Sequence, residues 1–378
     1  MKRLSLTADT VGPVARGHPW VYHDGVFGKA ALGEGVELLD TRGKRVAYGI
    51  FDEGTIAVRI LGRDPMPIPE LLRARLGAAW SRRSLIGGET NAFRVCNGEG
   101  DGLGGLVVDR YGDVLVVRLY SKAWERHLGT IVDILMPLTG ARTVFRRFGV
   151  GRVDDKQGGE TLRGPDPADA LVVQEHGMKM LVRVREGQKT GLFLDQREHR
   201  RLVREWGRGR TVVNLFSYNG GFSVAAALGG AKRVTSVDVA EAALVDAREN
   251  FRLNGLDATQ HEFVATDAFT FQGEPSDLVI VDPPSLTHAA KADTAARAAY
   301  KSLHRHVAGY ATDLLASSSC TARLTGERWE EAVREGLGGG WGSLHRSGEP
   351  LDHPVAIAHP EGRYLKFALY GRLGGVLR

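Results

Sequence analysis

The stretch from Thr211 to Ala240 reads TVVNLFSYNGGFSVAAALGGAKRVTSVDVA. Its apolar start, Thr211 to Phe216, predicts a strand that is buried on both faces of a parallel sheet. The polar, glycine-containing residues that follow, 217–221, predict a tight turn at which a ligand can approach the backbone. A helix of small side chains should come next and end at Gly229, before a second strand over Arg233 to Val239. The sequence therefore predicts an α/β fold with a cofactor at this turn.

Asp238 lies at the carboxyl end of the second predicted strand. In an open α/β sheet, ligands bind beyond the carboxyl ends of the strands, and an acid there can accept both hydroxyls of a ribose. The turn is not GxGxxG, and two adjacent glycines without the third make a poor pyrophosphate cradle, so a nucleoside without phosphates fits better than NAD. S-adenosylmethionine is such a nucleoside. For this turn taken alone, a strand, turn and helix without a ligand is the alternative.

Length and composition limit the class of protein. A chain of 378 residues predicts two or three domains, and 43% hydrophobic with 25% charged residues is typical of a globular protein. No apolar run reaches membrane length and the first residues lack a signal peptide's apolar segment, so we expect a cytoplasmic protein with no membrane partner. Cys96 and Cys320 lie far apart in sequence, which argues against a disulfide framework and against a cysteine-rich metal site.

Positive charge is concentrated between Arg197 and Arg210. The chain carries a net charge of +5, and this segment holds six arginines against two glutamates. We hypothesise that three of them, Arg200, Arg201 and Arg204, contact nucleic-acid phosphates. A solvated helix face explains the run equally well.

The alternation of strands and helices continues beyond Ala240. A strand over Glu262 to Thr266 is followed by Asp267, and a strand over Ser276 to Val281 is followed by Asp282. Asp267 would lie where an adenine amino group can donate to it, although an acid there is as often a helix N-cap. Asp282 lies one strand further along, towards the reacting methyl. The two prolines after it fix the local geometry and expose its side chain.

Cys320 follows three serines at the end of another predicted strand, Leu314 to Ala316. A lone cysteine is usually a small buried hydrophobic residue. On the same rim as Asp282, however, a thiol can be deprotonated and attack an electrophilic ring carbon. Cys96, beside a glycine-rich loop, lacks this context and is predicted to be structural.

The chain before residue 186 is predicted to form two smaller modules. Short β-prone segments within residues 1–68 predict a small, mostly antiparallel barrel that serves as a binding module. Prolines at 65, 67 and 69 mark a boundary. Residues 69–185 then alternate helices and strands, with a long loop predicted over Gly149 to Asp169.

Seven segments together resemble one family. They are GHPWVY (17–22), NGEGDGLGGLVVDRYG (97–112), EGQKTGLFLDQREHR (186–200), NLFSYNGGFSVAAALGGA (214–231), VDPPS (281–285), SSC (318–320) and DHPVAIAHPEGRYLKF (352–367). They look like the PUA-containing, S-adenosylmethionine-dependent methyltransferases that make 5-methylcytosine in bacterial large-subunit ribosomal RNA. The resemblance implies a PUA-like RNA-binding domain over 1–68, a middle α+β domain over 69–185 and a Rossmann-like class I methyltransferase domain over 186–378.

The same resemblance implies roles for individual residues. The cofactor would lie on Phe216, Ser217, Tyr218, Gly220 and Gly221, with Asp238 on the ribose, Asp267 near the adenine and Gln196 on the methionine part. Cys320 would be the nucleophile and Asp282 the acid that engages the cytosine ring. Asn219 and Leu286 stand where the family has threonine and phenylalanine, which leaves base recognition open.

The sequence thus predicts a cytosine-C5 RNA methyltransferase with S-adenosylmethionine as cofactor and ribosomal RNA as partner. One alternative is an amino-group nucleic-acid methyltransferase that uses Asp-Pro-Pro, although such enzymes have an aromatic residue after the prolines and this chain has Ser285 and Leu286. The other is a non-catalytic RNA-binding assembly protein. The target nucleotide, the base that removes the C5 proton and the oligomeric state, a homodimer included, stay open.

Overall fold

The computed structural model describes residues 1–151, 153–155, 157–286 and 292–374. The chain forms two compact units. The first comprises Met1–Gln174, Val182–Leu194 and Leu351–Gly362, and the second comprises Glu175–Leu181, Asp195–Pro350 and the chain from Arg363 onward. None of the described helices is both long and apolar enough to cross a lipid bilayer.

The first unit opens with a six-stranded sheet. Its elements are β1 (Lys2–Leu6), α1 (Ala8–Ala15), β2 (Trp20–Tyr22), β3 (Val26–Phe27), β4 (Gly35–Leu39), β5 (Arg45–Phe51) and β6 (Ile56–Gly62), and the strand order is β2-β6-β5-β4-β1-β3. Neighbouring strands are antiparallel except β1 and β4, which run parallel. The expected mostly antiparallel module is confirmed. Helix α1 was not predicted, because Gly12 and Pro13 within it read as helix breakers.

A five-stranded sheet follows in the same unit. Its elements are α2 (Ile68–Arg83), β7 (Ala92–Asn97), β8 (Leu106–Tyr111), β9 (Val114–Leu119), α3 (Leu128–Thr139), β10 (Thr143–Arg147) and β11 (Gly159–Arg163), in the order β11-β10-β9-β8-β7. The loop predicted over Gly149 to Asp169 is corrected in part, since β11 lies within it and pairs antiparallel with β10. Strand β11 reads GETLR and contains no buried residue, so no apolar alternation announces it.

The two modules of the first unit share one core. Tyr48 and Ile50 of β5 belong to the same buried cluster as Leu72 and Leu76 of α2. Strands β12 (Leu171–Glu175) and β13 (Met178–Val182) make a separate two-stranded sheet. The predicted domain limits at residues 68 and 185 stay predictions.

The second unit is built on a seven-stranded sheet. Its strands are β14 (Thr211–Leu215), β15 (Arg233–Asp238), β16 (Glu262–Ala265), β17 (Ser276–Val281), β18 (Ala311–Ser319), β19 (Trp341–Ser347) and β20 (Lys366–Arg372), and its helices are α4 (Arg197–Trp206), α5 (Gly221–Leu228), α6 (Glu241–Leu253), α7 (Ala292–Val307) and α8 (Gly326–Leu337). The strand order is β16-β15-β14-β17-β18-β20-β19. The first five strands are parallel, whereas β20 is antiparallel to both its neighbours. The predicted Rossmann-like fold is confirmed.

Strand order reverses at β14, which is the arrangement that opens a ligand crevice in α/β sheets. From β14 the chain proceeds outward to β15 and β16 on one side, and then to β17 and β18 on the other. The register pairs Leu215 with both Val237 and Val281, and Val281 with Ser317. The carboxyl ends of these strands therefore meet at one edge, where the residues that follow each strand can form a common site.

Candidate active site

The turn after β14 has an unusual backbone. Phe216 and Tyr218 have φ of 58° and 48°, and Gly220 has φ of 77°. Residues other than glycine rarely adopt positive φ, and they do so where surrounding contacts hold them. Here the backbone N–H of Ser217 donates to the carbonyl of Val237 over 2.9 Å. The turn is therefore fixed to the end of β15.

Asp238 completes that attachment. Its Oδ2 accepts the backbone N–H of Tyr218 over 2.8 Å, and its Oδ1 accepts that of Ala240 over 2.9 Å. A carboxylate offers about four acceptor positions, so two backbone bonds orient the group and leave capacity for the hydroxyls of a ribose.

The glycines of the turn are required by packing. A Cβ on Gly220 would lie 2.9 Å from Cβ of Ala247, and one on Gly221 would lie 3.0 Å from Cδ of Arg200. Both separations are shorter than normal carbon contacts, so helix α5 could not approach its neighbours as closely with larger residues. Within the part of the chain that the structure describes, the buried hydroxyl of Ser217 has no hydrogen-bond partner. Such an orphaned group fits a polar ligand at this turn.

Apolar side chains that the sequence reasoning missed stand beside the two acids. Val239 is 78% exposed and Phe269 is 37% exposed, and the rings of Phe216 and Phe269 make an edge contact at 5.6 Å. Exposed apolar side chains next to a carboxylate that can accept ribose hydroxyls fit the faces of a purine. Nothing in the sequence distinguishes them from ordinary loop residues.

Asp267 is exposed and caps a turn. Its Oδ1 accepts the backbone N–H of Phe269 over 2.9 Å. This is a capping role, the alternative to adenine binding that the sequence analysis gave for Asp267. This bond orients the turn that carries Phe269. A contact between Asp267 and adenine stays a prediction.

Gln196 is buried and hydrogen-bonded to residues at the ends of β17 and β18. Its Nε2 donates to Oδ1 of Asp282 over 3.0 Å and to Oγ of Ser318 over 2.8 Å, while its Oε1 accepts Nδ1–H of His199 over 2.5 Å. Burial lowers the pKa of His199 to about 3, so its ring is neutral at physiological pH, and it stacks on Phe367 at 4.0 Å. These contacts hold Asp282 in place. The methionine-binding role expected of Gln196 stays a prediction.

The three serines before Cys320 belong to β18, which corrects the expected strand limit at Ala316. All three are buried, so each needs a polar partner. Ser317 bonds Nε2 of His304 over 2.7 Å, Ser318 accepts from Gln196 over 2.8 Å, and Ser319 accepts from Tyr300 over 2.8 Å. The end of β18 is thereby fixed by two side chains of α7 and by Gln196, which lies 122 residues before Ser318 in the sequence.

The two cysteines have different environments. Cys320 is partly exposed directly after β18, and Asp282 directly follows the neighbouring strand β17. Cys96 is fully buried, its Sγ lies 3.5 Å from the carbonyl of Leu106, and burial raises the pKa of its thiol. The structure therefore brings Cys320 and Asp282 to one edge and leaves Cys96 in a core.

The arginines of α4 divide into buried and exposed groups. Arg200 is 4% exposed and makes a two-fold ion pair with Glu175, with Nε–Oε2 at 2.9 Å and Nη2–Oε1 at 2.8 Å. This corrects the sequence hypothesis for Arg200, because a phosphate could reach its side chain only by breaking a buried pair. Arg201 is more exposed and pairs with glutamates of its own helix, and Arg204 donates to a backbone carbonyl. Contact with nucleic-acid phosphates stays a prediction for Arg201 and Arg204.

Family models match most of the chain. A model described as S-adenosylmethionine-dependent methyltransferase matches residues 97–325, and one described as a PUA-like domain matches residues 4–63.

Two curated relatives are similar over nearly their whole length. One is a ribosomal RNA large subunit methyltransferase of Deinococcus radiodurans, 39% identical over 398 aligned residues that cover 96% of each protein. The other is ribosomal RNA large subunit methyltransferase I of Escherichia coli, 33% identical over 387 residues that cover 96% of this chain and 98% of that protein. A solved structure, SMU.776, described as a methyltransferase complexed with SAH, superimposes with a TM-score of 0.88 at 23% identity, covering 98% of this chain and 100% of that one.

Replacing Asp238 with Ala tests the cofactor side of the edge. The change removes the carboxylate that we expect to accept both ribose hydroxyls, so calorimetry should show affinity for S-adenosylmethionine weakened by about 2 to 4 kcal/mol. Asp238→Asn, which keeps one oxygen, should lose less. Unchanged affinity in Asp238→Ala would place the cofactor elsewhere.

Arg200 and Arg201 offer a matched pair for stability. Arg200→Ala leaves Glu175 buried and unpaired, so the free energy of unfolding in urea should fall by about 3 to 5 kcal/mol. Arg201→Ala breaks exposed pairs and should change it by about 1 kcal/mol or less. Equal effects of the two substitutions would contradict the assigned difference in burial.

Proposed function

Because the chain belongs to the S-adenosylmethionine-dependent methyltransferase family, we propose that it methylates cytosine at C5 in large-subunit ribosomal RNA, through a covalent adduct with Cys320. The observation that carries the proposal is the placement of Cys320 and Asp282 after adjacent parallel strands, β18 and β17. The names of the two curated relatives support ribosomal RNA as the substrate.

The chemistry of cytosine explains why both groups are needed. C5 is a weak nucleophile, so the Cys320 thiolate first adds to C6, and the electrons of the C5–C6 double bond become available at C5. The carboxyl O–H of Asp282 donates to N3 and so stabilises the negative charge that develops on the ring, and Asp282 regains the proton when the thiolate leaves. S-adenosylmethionine, when bound, would supply an electrophilic methyl group, which C5 would take with release of S-adenosylhomocysteine. A base then takes the proton from the methylated C5, the C5–C6 double bond re-forms and the thiolate leaves C6.

Buried neutral groups support this pair of residues. The Gln196 amide holds Asp282 through Oδ1. Tyr300 donates to Ser319 and lies 3.2 Å from the hydroxyl of Thr321, so it contacts the residues on both sides of Cys320. Burial raises the pKa of Tyr300 to about 12, which keeps it neutral.

The cofactor is proposed to bind across the ends of β14, β15 and β16. Its residues would be Gln196, Phe216, Ser217, Tyr218, Gly220, Gly221, Asp238 and Asp267, with Val239 and Phe269 as apolar walls for the purine. The PUA-like domain, proposed to span residues 1–68, would bind RNA. Residues 69–185 would form the middle domain and residues 186–378 the catalytic domain.

The amino-group alternative needs an aromatic surface beside the Asp-Pro-Pro run. Ser285 and Leu286 follow the prolines instead, and Leu286 packs against the core cluster of the sheet. Residues 287–291 lie outside the described part of the chain. The alternative predicts no covalent adduct, which makes trapping of the adduct the deciding experiment.

The trap is RNA that contains 5-fluorocytosine, because fluorine at C5 cannot be removed as a proton. With S-adenosylmethionine and this RNA, the enzyme should stall as a covalent protein–RNA complex that survives denaturing electrophoresis. Cys320→Ser should lose the complex and still bind the cofactor, since the thiol is not among the proposed cofactor contacts.

Cys96→Ser is the matched control and should keep both the complex and cofactor binding. Full methylation by Cys320→Ser would overturn the C5 mechanism and favour the amino-group reaction. Absence of cofactor binding by the unmodified protein would favour a non-catalytic RNA-binding role.

Charge reversal on α4 tests the RNA surface. Arg201→Glu with Arg204→Glu should lower RNA affinity and reduce the log–log salt slope by about one unit per lost phosphate contact. Arg252→Glu is a control, because this exposed side chain pairs with Glu249 on α6. An unchanged salt slope in the double variant would make α4 a solvated face.

A further inference from the structure

Lys366 lies on the strand next to Cys320. It is the first residue of β20 and pairs across the sheet with Ser319, the residue before Cys320. Its Nζ donates to the carbonyl of Thr321 over 2.7 Å and to that of Leu324 over 2.8 Å. The ammonium group is therefore anchored across the turn that begins at Cys320.

We propose that Lys366 is a positioning residue whose ammonium group stabilises the thiolate of Cys320; this inference rests on the proposed function, in which that thiolate is the nucleophile. An ammonium group has three N–H donors. Two are taken by the carbonyls of Thr321 and Leu324, so the same contacts that shape the turn leave one donor for the sulfur.

The electrostatics of the site are consistent with this role. Burial lowers the pKa of Lys366 to about 8, and the negative charges of Cys320 and Glu349 oppose that shift. Lys366 is thus mainly protonated near pH 7. A positive charge beside a thiol favours the thiolate, the form that attacks C6.

Other ionisable groups near Cys320 act differently. Tyr300, from α7, is kept neutral by burial, and negative charges on Cys320 and Asp282 add to the rise of its pKa. Glu349 precedes β20 and accepts the backbone N–H groups of residues 364 and 365. The carboxylates of Asp282 and Glu349 both disfavour a negative charge on Cys320, so they oppose formation of the thiolate. Arg323 is a further cation, exposed in the turn.

The test is alkylation of Cys320 by iodoacetamide in the full-length protein, from about pH 6 to about pH 9. Mass spectrometry of the Cys320 peptide gives the rate at each pH, and the apparent pKa of the thiol follows from the profile. Cys96, fully buried, is an internal control that should stay unmodified while the protein is folded.

Removing the charge should slow alkylation of Cys320. Lys366→Gln should raise the apparent pKa of the thiol by about one unit, which makes alkylation at pH 7 about tenfold slower. Lys366→Arg, which keeps the charge, should return the rate to within about threefold of the unmodified protein. Lys301→Gln is the matched control, because this lysine pairs with Glu335 on α8, and it should leave the profile unchanged.

Coincident pH profiles for the unmodified protein and Lys366→Gln would overturn the proposal. Should Lys366→Gln not fold, as judged by circular dichroism, the unmodified protein alone decides. An apparent Cys320 pKa below the ordinary value of about 8.5 supports the proposal, and a value at or above it contradicts it.

Alkylation requires neither RNA nor methyl transfer, so the two proposals can fail separately. A profile that depends on Lys366, with no adduct on 5-fluorocytosine RNA, would uphold the activated thiolate and reject the C5 reaction. A covalent adduct together with a pH profile that does not depend on Lys366 would support the C5 reaction and reject the role of Lys366.

Discussion

The carboxylate of Asp238 joins two turns of the catalytic sheet, since it accepts the backbone N–H of Tyr218 in one and of Ala240 in the other. The conformation of the turn after β14 depends on this attachment, because Tyr218 has a positive φ that only surrounding contacts maintain. Behind the turn, Gly221 packs on Arg200, which is itself fixed by its buried pair with Glu175. Asp238, the turn after β14 and Arg200 thus form one connected set of contacts that holds the turn in place.

A second set of contacts fixes the part of the same edge that carries Asp282 and Cys320. A buried serine hydroxyl without a hydrogen bond destabilises the folded protein. The serines of β18 therefore require Gln196, Tyr300 and His304 at defined positions. Gln196 also bonds Asp282, which couples the end of β17 to that of β18. Groups held on rigid elements in this way are suited to chemistry that needs accurate placement.

The predictable parts of this architecture were those encoded by local pattern. An apolar run before a glycine-containing turn identified β14, and runs that end in or just before an acid identified β15 and β17, because buried parallel strands leave little choice of residue. Contacts between residues far apart in the chain could not be predicted from the sequence. The partner that buries Arg200 lies 25 residues earlier, and β11 has no apolar alternation. Lys366 meets the turn after Cys320 only because β20 folds back beside β18.

The central claim is that the chain adds a methyl group to C5 of cytosine in large-subunit ribosomal RNA. Mass spectrometry of nucleosides from that RNA, purified from cells with and without the gene, tests it most directly. The account predicts less 5-methylcytidine in cells that lack the gene, and recovery when the unmodified gene, but not one encoding Cys320→Ser, is returned. Unchanged 5-methylcytidine with a loss of an amino-methylated nucleoside would contradict it.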